Sequence, residues 1–306
     1  GRNASHGRYQ YVLDFSRKEV VEYIYEMMAK ILSEAKVSYI KWDMNRSITE
    51  CYSVALPADR QGEVFHRYIL GVYDLYERLT SEFPEVLFES CSSGGGRFDP
   101  GMLYYAPQGW TSDDSDAIER LKIQYGTSLC YPISSMGSHV SVIPNHQVFR
   151  KTPLHTRANV AYFGTFGYEL DLNSLKEEEI AEVKEQIIFM KKYRKLFQFG
   201  DFYRLKSPFE GNETIWMVVS EDKKTAIVGY YRTLNGVNQA YSRIKLQGLD
   251  PDMLYENILN KTENYGDELM NFGLITTDVT AGEVPGDATP CTDFESRIYI
   301  LKAKEK

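Results

Sequence analysis

The stretch from Tyr11 to Trp42 places the strongest constraint on the fold. Tyr11-Val12-Leu13-Asp14-Phe15 reads as a short buried strand, and about Arg17 to Ala35 as a helix with Val20, Ile24, Met27 and Ile31 at helical spacing. Val37 to Trp42 then alternates β-branched and aromatic residues with smaller polar ones, as a second strand does. Strand, long helix and strand form the unit of a parallel sheet, because parallel neighbours need a long crossover between them. The second strand breaks at Asp43, followed by Met44-Asn45-Arg46. In parallel α/β proteins the loops leaving the carboxyl ends of the strands converge on one mouth, which is where chemistry is placed. Lys41 projects to the same side of the strand as Asp43. An ammonium beside a carboxylate keeps it ionised, as a nucleophile requires. A structural ion pair at a strand end is the other reading of this pair.

The same texture continues to about residue 200. A helix is predicted over about Glu63 to Ser81, with Phe65, Ile69, Val72, Tyr76 and Leu79 on one face and Pro84 just beyond its end. Val86-Leu87-Phe88-Glu89 reads as a strand opening into Cys91-Ser92-Ser93-Gly94-Gly95-Gly96-Arg97, and Trp110-Thr111-Ser112-Asp113 as another strand end. A helix from about Ala117 to Tyr125 follows, then strands at Ile133-Ser134-Ser135 and Val160-Ala161-Tyr162-Phe163. A long helix from about Lys176 to Lys195 carries Ile180, Val183, Ile187 and Met190 on its inner side. After about Ser207 come short strands between turn residues: Thr214 to Val219, Thr225 to Tyr231, Ser242 to Leu246 and Arg297 to Lys302. That is the pattern of a small antiparallel sandwich. The expected division is therefore an α/β domain over residues 1–205 and an antiparallel domain over 206–306. The first part holds about six candidate strands, whereas a closed barrel needs eight over about 250 residues. Either two strands precede Gly1 or the sheet is open, and a first residue other than Met favours the former.

Composition removes several classes of function. The chain has 306 residues and a formal net charge of -8, an acidic balance that makes nucleic acid an unexpected partner. No apolar run has the length of a membrane span. Cys51, Cys91, Cys130 and Cys291 are widely spaced, which points to neither a zinc site nor a disulfide framework and suits a reducing, cytoplasmic compartment. No metal or cofactor is expected.

Cleavage of a glycoside with retention needs two nearby carboxyl groups, one ionised to attack the anomeric carbon and one protonated to release the leaving oxygen. Asp43 and Asp113 are the candidates, since both fall at predicted strand ends. Lys41 is expected to lower the pKa of Asp43, and Asp114 and Asp116 to raise that of Asp113. The alternative for Asp113 is helix N-capping. His139, in a Gly-Ser-His-Val-Ser turn, is given no catalytic role, and Arg97 is read as orienting the glycine-rich loop or pairing with an acid.

Lys41-Trp42-Asp43-Met44-Asn45-Arg46, Cys91 through Arg97, and Trp110-Thr111-Ser112-Asp113-Asp114 together resemble the microbial α-galactosidases of glycoside hydrolase family 36. Gly7-Arg8-Tyr9-Gln10-Tyr11-Val12-Leu13-Asp14 and Gly137-Ser138-His139-Val140-Ser141 agree in order. The resemblance implies a (β/α)8 TIM barrel, here lacking its first strands, followed by a β-sandwich. It also implies a retaining exo-α-galactosidase acting on melibiose and raffinose, and a homotetramer. By motif position Asp43 would be the nucleophile and Asp113 the general acid/base. Arg8, Lys41, Cys91 and Gly94 would contact galactose, and Trp110 would line the pocket. The family's preceding sandwich, and the tryptophan and aspartate pair of its first barrel strands, have no counterpart upstream of Arg8, so this chain by itself is expected to show little or no turnover. Two rival functions are a galactosyltransferase of the raffinose-synthase type and a sugar-binding module without activity. If the retaining assignment holds, the carboxyl oxygens of Asp43 and Asp113 should lie about 5–6 Å apart, against about 9 Å for inversion.

Overall fold

The computed structural model describes residues 5–237, 242–276 and 293–304. The chain divides into two compact units, Gly1–Asp113 and Asp114–Lys306.

The first unit is built on three parallel strands, β1 (Tyr39–Trp42), β2 (Leu87–Ser90) and the short β3 (Gln108–Gly109), in that order. Helix α1 (Lys18–Glu34) precedes β1, α2 (Val64–Glu82) joins β1 to β2, and α3 (Pro100–Tyr105) joins β2 to β3. Asp99 caps α3 by accepting from the Met102 N–H, and Pro100 follows at the first helical position, where its lost N–H costs nothing. Val72, Leu75, Tyr76 and Leu79 of α2 form the core with Val21 of α1, Phe88 of β2 and Met102 of α3. Ile40 and Trp42 pack against this helical layer, Trp42 on the ring of Tyr76 at 4.7 Å. Alternation along the strand then turns Lys41 and Asp43 to the opposite face.

Two expectations are corrected in this unit. Tyr11 to Phe15 forms no strand; Val12 and Phe15 pack on the helical core as single side chains, so their apolar character reflects packing without ladder pairing. On α1 the inward stripe is Val21, Ile24, Met28 and Leu32, whereas Met27 and Ile31 of the expected stripe are exposed. The helix is apolar on more than one side. An ion pair from Arg78 of α2 to Glu22 at 2.9 Å, with the guanidinium over the Tyr25 ring, fixes the side that meets α2.

The second unit begins with α4 (Ala117–Ser128) and contains the parallel pair β4 (Gly137–Ser141) and β5 (Thr165–Glu169). It also contains α5 (Leu154–Ala161) and α6 (Glu177–Phe199). Ile133–Ser135 is a 3-10 turn, with the strand starting just after it, and Val160-Ala161 closes α5. A short apolar run does not distinguish a buried strand from a buried helix end, which is why both positions differ from the expected strands. Six antiparallel strands follow: β6 (Asp201–Lys206), β7 (Glu213–Val219), β8 (Thr225–Arg232), β10 (Leu254–Asn257), β11 (Glu263–Tyr265) and β13 (Glu295–Ala303). Their order is β11-β10-β13-β8-β7-β6. A ribbon of β9 (Arg243–Ile244) with β12 (Leu274–Ile275), together with α7 (Gly266–Asn271), lies over one face. Trp216 and Val218 of β7 enter the core shared with α4, α5 and α6, while Ile215, Met217 and Val219 enter the core shared with Ile244, Leu246 and Leu269. Burial on both faces explains why β7 reads as an unbroken apolar run.

Candidate active site

The ladder between β1 and β2 continues past both strands: the Cys91 N–H donates to the Trp42 carbonyl at 3.0 Å and the Met44 N–H to the Cys91 carbonyl at 3.1 Å. The Asp43 loop and the glycine-rich loop therefore leave the sheet side by side. Arg97 clamps them, its Nη2 donating to the carbonyls of Trp42 at 3.0 Å and Cys91 at 2.8 Å. The Ser92 hydroxyl donates to the Met44 carbonyl at 3.0 Å.

Asp43 is exposed, yet it is well supplied with donors. Its partial burial acts to raise its pKa, but donors outweigh that: the Asn45 amide at 2.6 Å, the Cys91 thiol and the N–H groups of Met44 and Ser93. The net effect holds the carboxyl below its ordinary value, ionised at neutral pH. Burial, opposed by a bond from the Gly94 N–H and reinforced by donation to Asp43, pushes the Cys91 thiol up to about 11, so it stays a neutral donor. The ionising influence on Asp43 is thus a hydrogen-bond cradle. Lys41 does not supply it, contrary to the expectation from spacing: its Nζ lies 3.7 Å from Glu89 and 4.5 Å from the centre of the Trp110 ring.

Gly94 brings the third loop in. Its φ is +83°, and a Cβ there would stand 2.7 Å from Ser112 Cα and 2.9 Å from the Asp113 nitrogen. Only glycine permits both the backbone angle and this approach. The same short loop therefore hydrogen-bonds Asp43 through Cys91 and Ser93 and abuts the backbone of Asp113. Trp110 is buried, and its N–H donates to the Ser90 carbonyl at 2.9 Å, extending the β2–β3 ladder toward Asp113. Asp113 itself is exposed. The capping of α4 falls to Asp116, which accepts from the N–H groups of Ile118 and Glu119, both at 3.1 Å, and Asp114 accepts from the Asp116 N–H at 3.0 Å.

Arg8 lies in an exposed turn closed by paired hydrogen bonds between Gly7 and Gln10, with a φ of 52°. A Cβ on Gly7 would meet Arg46 Cδ at 2.9 Å, so the turn leans on the loop that follows Asp43. Beneath that loop is a cavity of about 280 Å³, lined by residues that include Val12, Trp42, Asp43, Asn45 and Arg97. Asp43 lines it; Arg8, Lys41, Cys91, Gly94, Trp110 and Asp113 do not. Asn45 and Glu89 are the site residues that sequence reasoning passed over. Asn45 follows Asp43 by two residues and Glu89 interrupts an apolar strand two before Cys91, signals that were available.

In the second unit His139 of β4 lies 3.5 Å from Glu169 of β5 and packs over Gly167, its partner in register. Among the described residues no group of three or more His, Cys, Asp or Glu side chains is arranged to hold a metal ion, and no helix is long and apolar enough to cross a membrane. Cys51, Cys91 and Cys130 are free thiols, and Cys291 lies outside the described residues.

Residues 1–200 match the Melibiase family model, and residues 213–301 match the glycosyl hydrolase family 36 C-terminal domain. The chain is 56% identical over 307 residues to alpha-galactosidase AgaA of Geobacillus stearothermophilus, covering 100% of this chain and 40% of that protein. It is 48% identical over 303 residues to alpha-galactosidase Mel36A of Lactobacillus acidophilus, covering 99% and 40%. A crystal structure of an AgaA variant in complex with raffinose superposes with a TM-score of 0.92 at 52% identity, over 99% of this chain and 40% of that one. The alpha-galactosidase from Lactobacillus brevis gives 0.94 at 50% identity, over 100% and 41%. The chain spans about 40% of the length of these relatives. Two family models in the expected order, and an α/β part followed by an antiparallel one, place this chain in the Melibiase family, glycoside hydrolase family 36.

Proposed function

We propose that the protein is a retaining exo-α-galactosidase releasing terminal α-galactosyl residues from oligosaccharides such as melibiose and raffinose. The observation that carries this reading is the cradle around Asp43: a carboxylate held ionised by directed donors, at the carboxyl end of a parallel strand, on a loop system that also abuts Asp113. Asp43 attacks the anomeric carbon while Asp113 gives its proton to the leaving oxygen. Asp113 then takes a proton from the water that cleaves the galactosyl ester, so the configuration is retained. Lys41 donates to sugar hydroxyls, and its charge strengthens those bonds. Arg8 does the same from the turn at residues 7–10. Cys91 and the Gly94 backbone contact the sugar from the glycine-rich loop, and Trp110 offers an apolar ring wall.

The same reading carries a (β/α)8 barrel, lacking its first strands, over residues 1–205 with a sandwich over 206–306, a cytoplasmic location and a homotetrameric assembly. The names of the relatives, and the raffinose bound to one of them, support the substrate class. The test is Asp43→Asn in the full-length enzyme: release of galactose from raffinose falls to background while galactose still binds. Wild-type rates in that variant would remove Asp43 from the role.

A further inference from the structure

Glu89 is a carboxylate that the reaction outlined above does not use, and its surroundings are specific. It sits in β2 directly opposite Lys41 in the parallel register, and it is only 1% exposed. Phe88 beside it packs on the helical core, so by alternation Glu89 shares the other face with Lys41. Its two oxygens have different partners. Oε2 accepts from the Tyr39 hydroxyl and from the Gln108 amide at 2.8 Å, while Oε1 accepts no hydrogen bond and stands 3.7 Å from Lys41 Nζ. The same ammonium lies 4.5 Å from the centre of the Trp110 indole, whose side chain is buried. An exposed lysine loses about 2 kcal/mol of rotamer entropy when it is pinned, so a lysine left to itself would not stay over one ring. A buried carboxylate fixed at one oxygen, with the other open toward the ammonium, is a device for pinning it.

We propose that Glu89 is a positioning residue of the galactoside site: fixed by Tyr39 and Gln108, it holds the Lys41 ammonium over Trp110 so that the remaining N–H groups of Lys41 are presented to the sugar hydroxyls. The sugar-contact part rests on the function proposed above; the Glu89–Lys41–Trp110 arrangement does not. The arrangement has a pH signature. Burial, opposed by the Gln108 bond, pushes Glu89 up to about 7. The groups facing it are Tyr39 and Lys41 from β1 and Gln108 from β3. As pH falls through about 7 the carboxylate takes up a proton, its attraction for the ammonium is lost, and Lys41 is released from the ring.

The experiment is NMR of the lysine ε-methylene groups in the 306-residue chain, with the Lys41 signal assigned from Lys41→Arg. The indole ring current shifts the Lys41 signal upfield at pH 8. That shift collapses toward the exposed-lysine position as pH falls through about 7, and it is absent in Glu89→Gln at every pH. The wild-type titration does not depend on Glu89→Gln, so poor folding of that variant cannot obscure the result. An upfield signal that stays put across the titration, or that survives Glu89→Gln, overturns the proposal. Galactose is then added at pH 8 to the full-length enzyme that carries the whole sugar site. It shifts the Lys41 and Trp110 signals of the wild type, and Glu89→Gln binds about tenfold more weakly. Equal affinity in the two chains also overturns the proposal, whereas a wild type that ignores galactose but keeps its pH-dependent Lys41 signal overturns the functional reading instead.

Discussion

Strands β1 and β7 of the two units are stabilised in different ways. Every residue of β7 is buried, Trp216 through Val219 fully so, because both faces of the antiparallel sheet are covered. In β1 no residue is fully buried, and the helix before it leaves Tyr23, Met27 and Ile31 exposed at 61%, 45% and 56%. The second unit is held by apolar packing. Around its candidate site the first is held by directed polar contacts: Arg97 on two carbonyls, Ser92 on a third, and four donors on Asp43. The difference teaches that chemistry sits where burial is incomplete and geometry is fixed by hydrogen bonds, since a charged nucleophile in the second kind of environment would be neutralised.

The comparison can be broken at several points. Trp216→Ala opens a cavity in a doubly covered sheet and is expected to cost about 3–5 kcal/mol in urea unfolding. A loss under 1 kcal/mol would mean that packing does not dominate there. Gly94→Ala forces a side chain into a left-handed angle and against Ser112, so about 1–3 kcal/mol of stability is lost. Because the clash falls on the loop itself, the variant also loses galactose affinity; intact binding with lost stability would separate the loop from the site.

The next effect is a pH dependence with two opposite signs inside the first unit. Asp43 titrates below its ordinary value, so its contribution is present above pH 3.8 and is lost as pH falls through its lowered pKa. Glu89 titrates above its ordinary value of 4.5, so its contribution is full below 4.5 and is lost as pH rises through about 7. Between pH 5 and 8 the wild type therefore loses on the order of 1–2 kcal/mol that Glu89→Gln does not lose. Identical pH profiles for the two chains would contradict the burial argument for Glu89. The smallest effect belongs to the exposed stripe of α1: Met27→Ala is expected to stay within about 0.5 kcal/mol of the wild type in the same unfolding measurement. A cost comparable with that of a core position would show that this face is covered in solution.

How much could be read from the sequence follows the same division. β7 and β8 were legible because a long β-branched and aromatic run between turn residues has few other solutions, and the Asp43 and Gly94 motifs were legible because an abrupt polar break and a glycine cluster each carry a physical demand. What was misread were short apolar runs. Val12 and Val160-Ala161 looked like strands, but one packs without pairing and the other ends a helix, a distinction made by tertiary contacts. β6 was passed over because Asp201–Lys206 alternates weakly and starts immediately after α6. The partner of Lys41 differs from the expected one for a related reason. Spacing along one strand puts it beside Asp43, whereas the register with β2, invisible in a single segment, puts it opposite Glu89.

The central claim is that Asp43 is the nucleophile, and covalent trapping tests it most directly. The full-length enzyme is incubated with a fluorinated α-galactosyl fluoride, whose electron-withdrawing substituent slows turnover of the galactosyl ester, and the labelled peptide is then sequenced by mass spectrometry. The account predicts one fluorogalactosyl adduct on Asp43. An adduct on Asp113, or continued hydrolysis of raffinose with no adduct at Asp43, would contradict it.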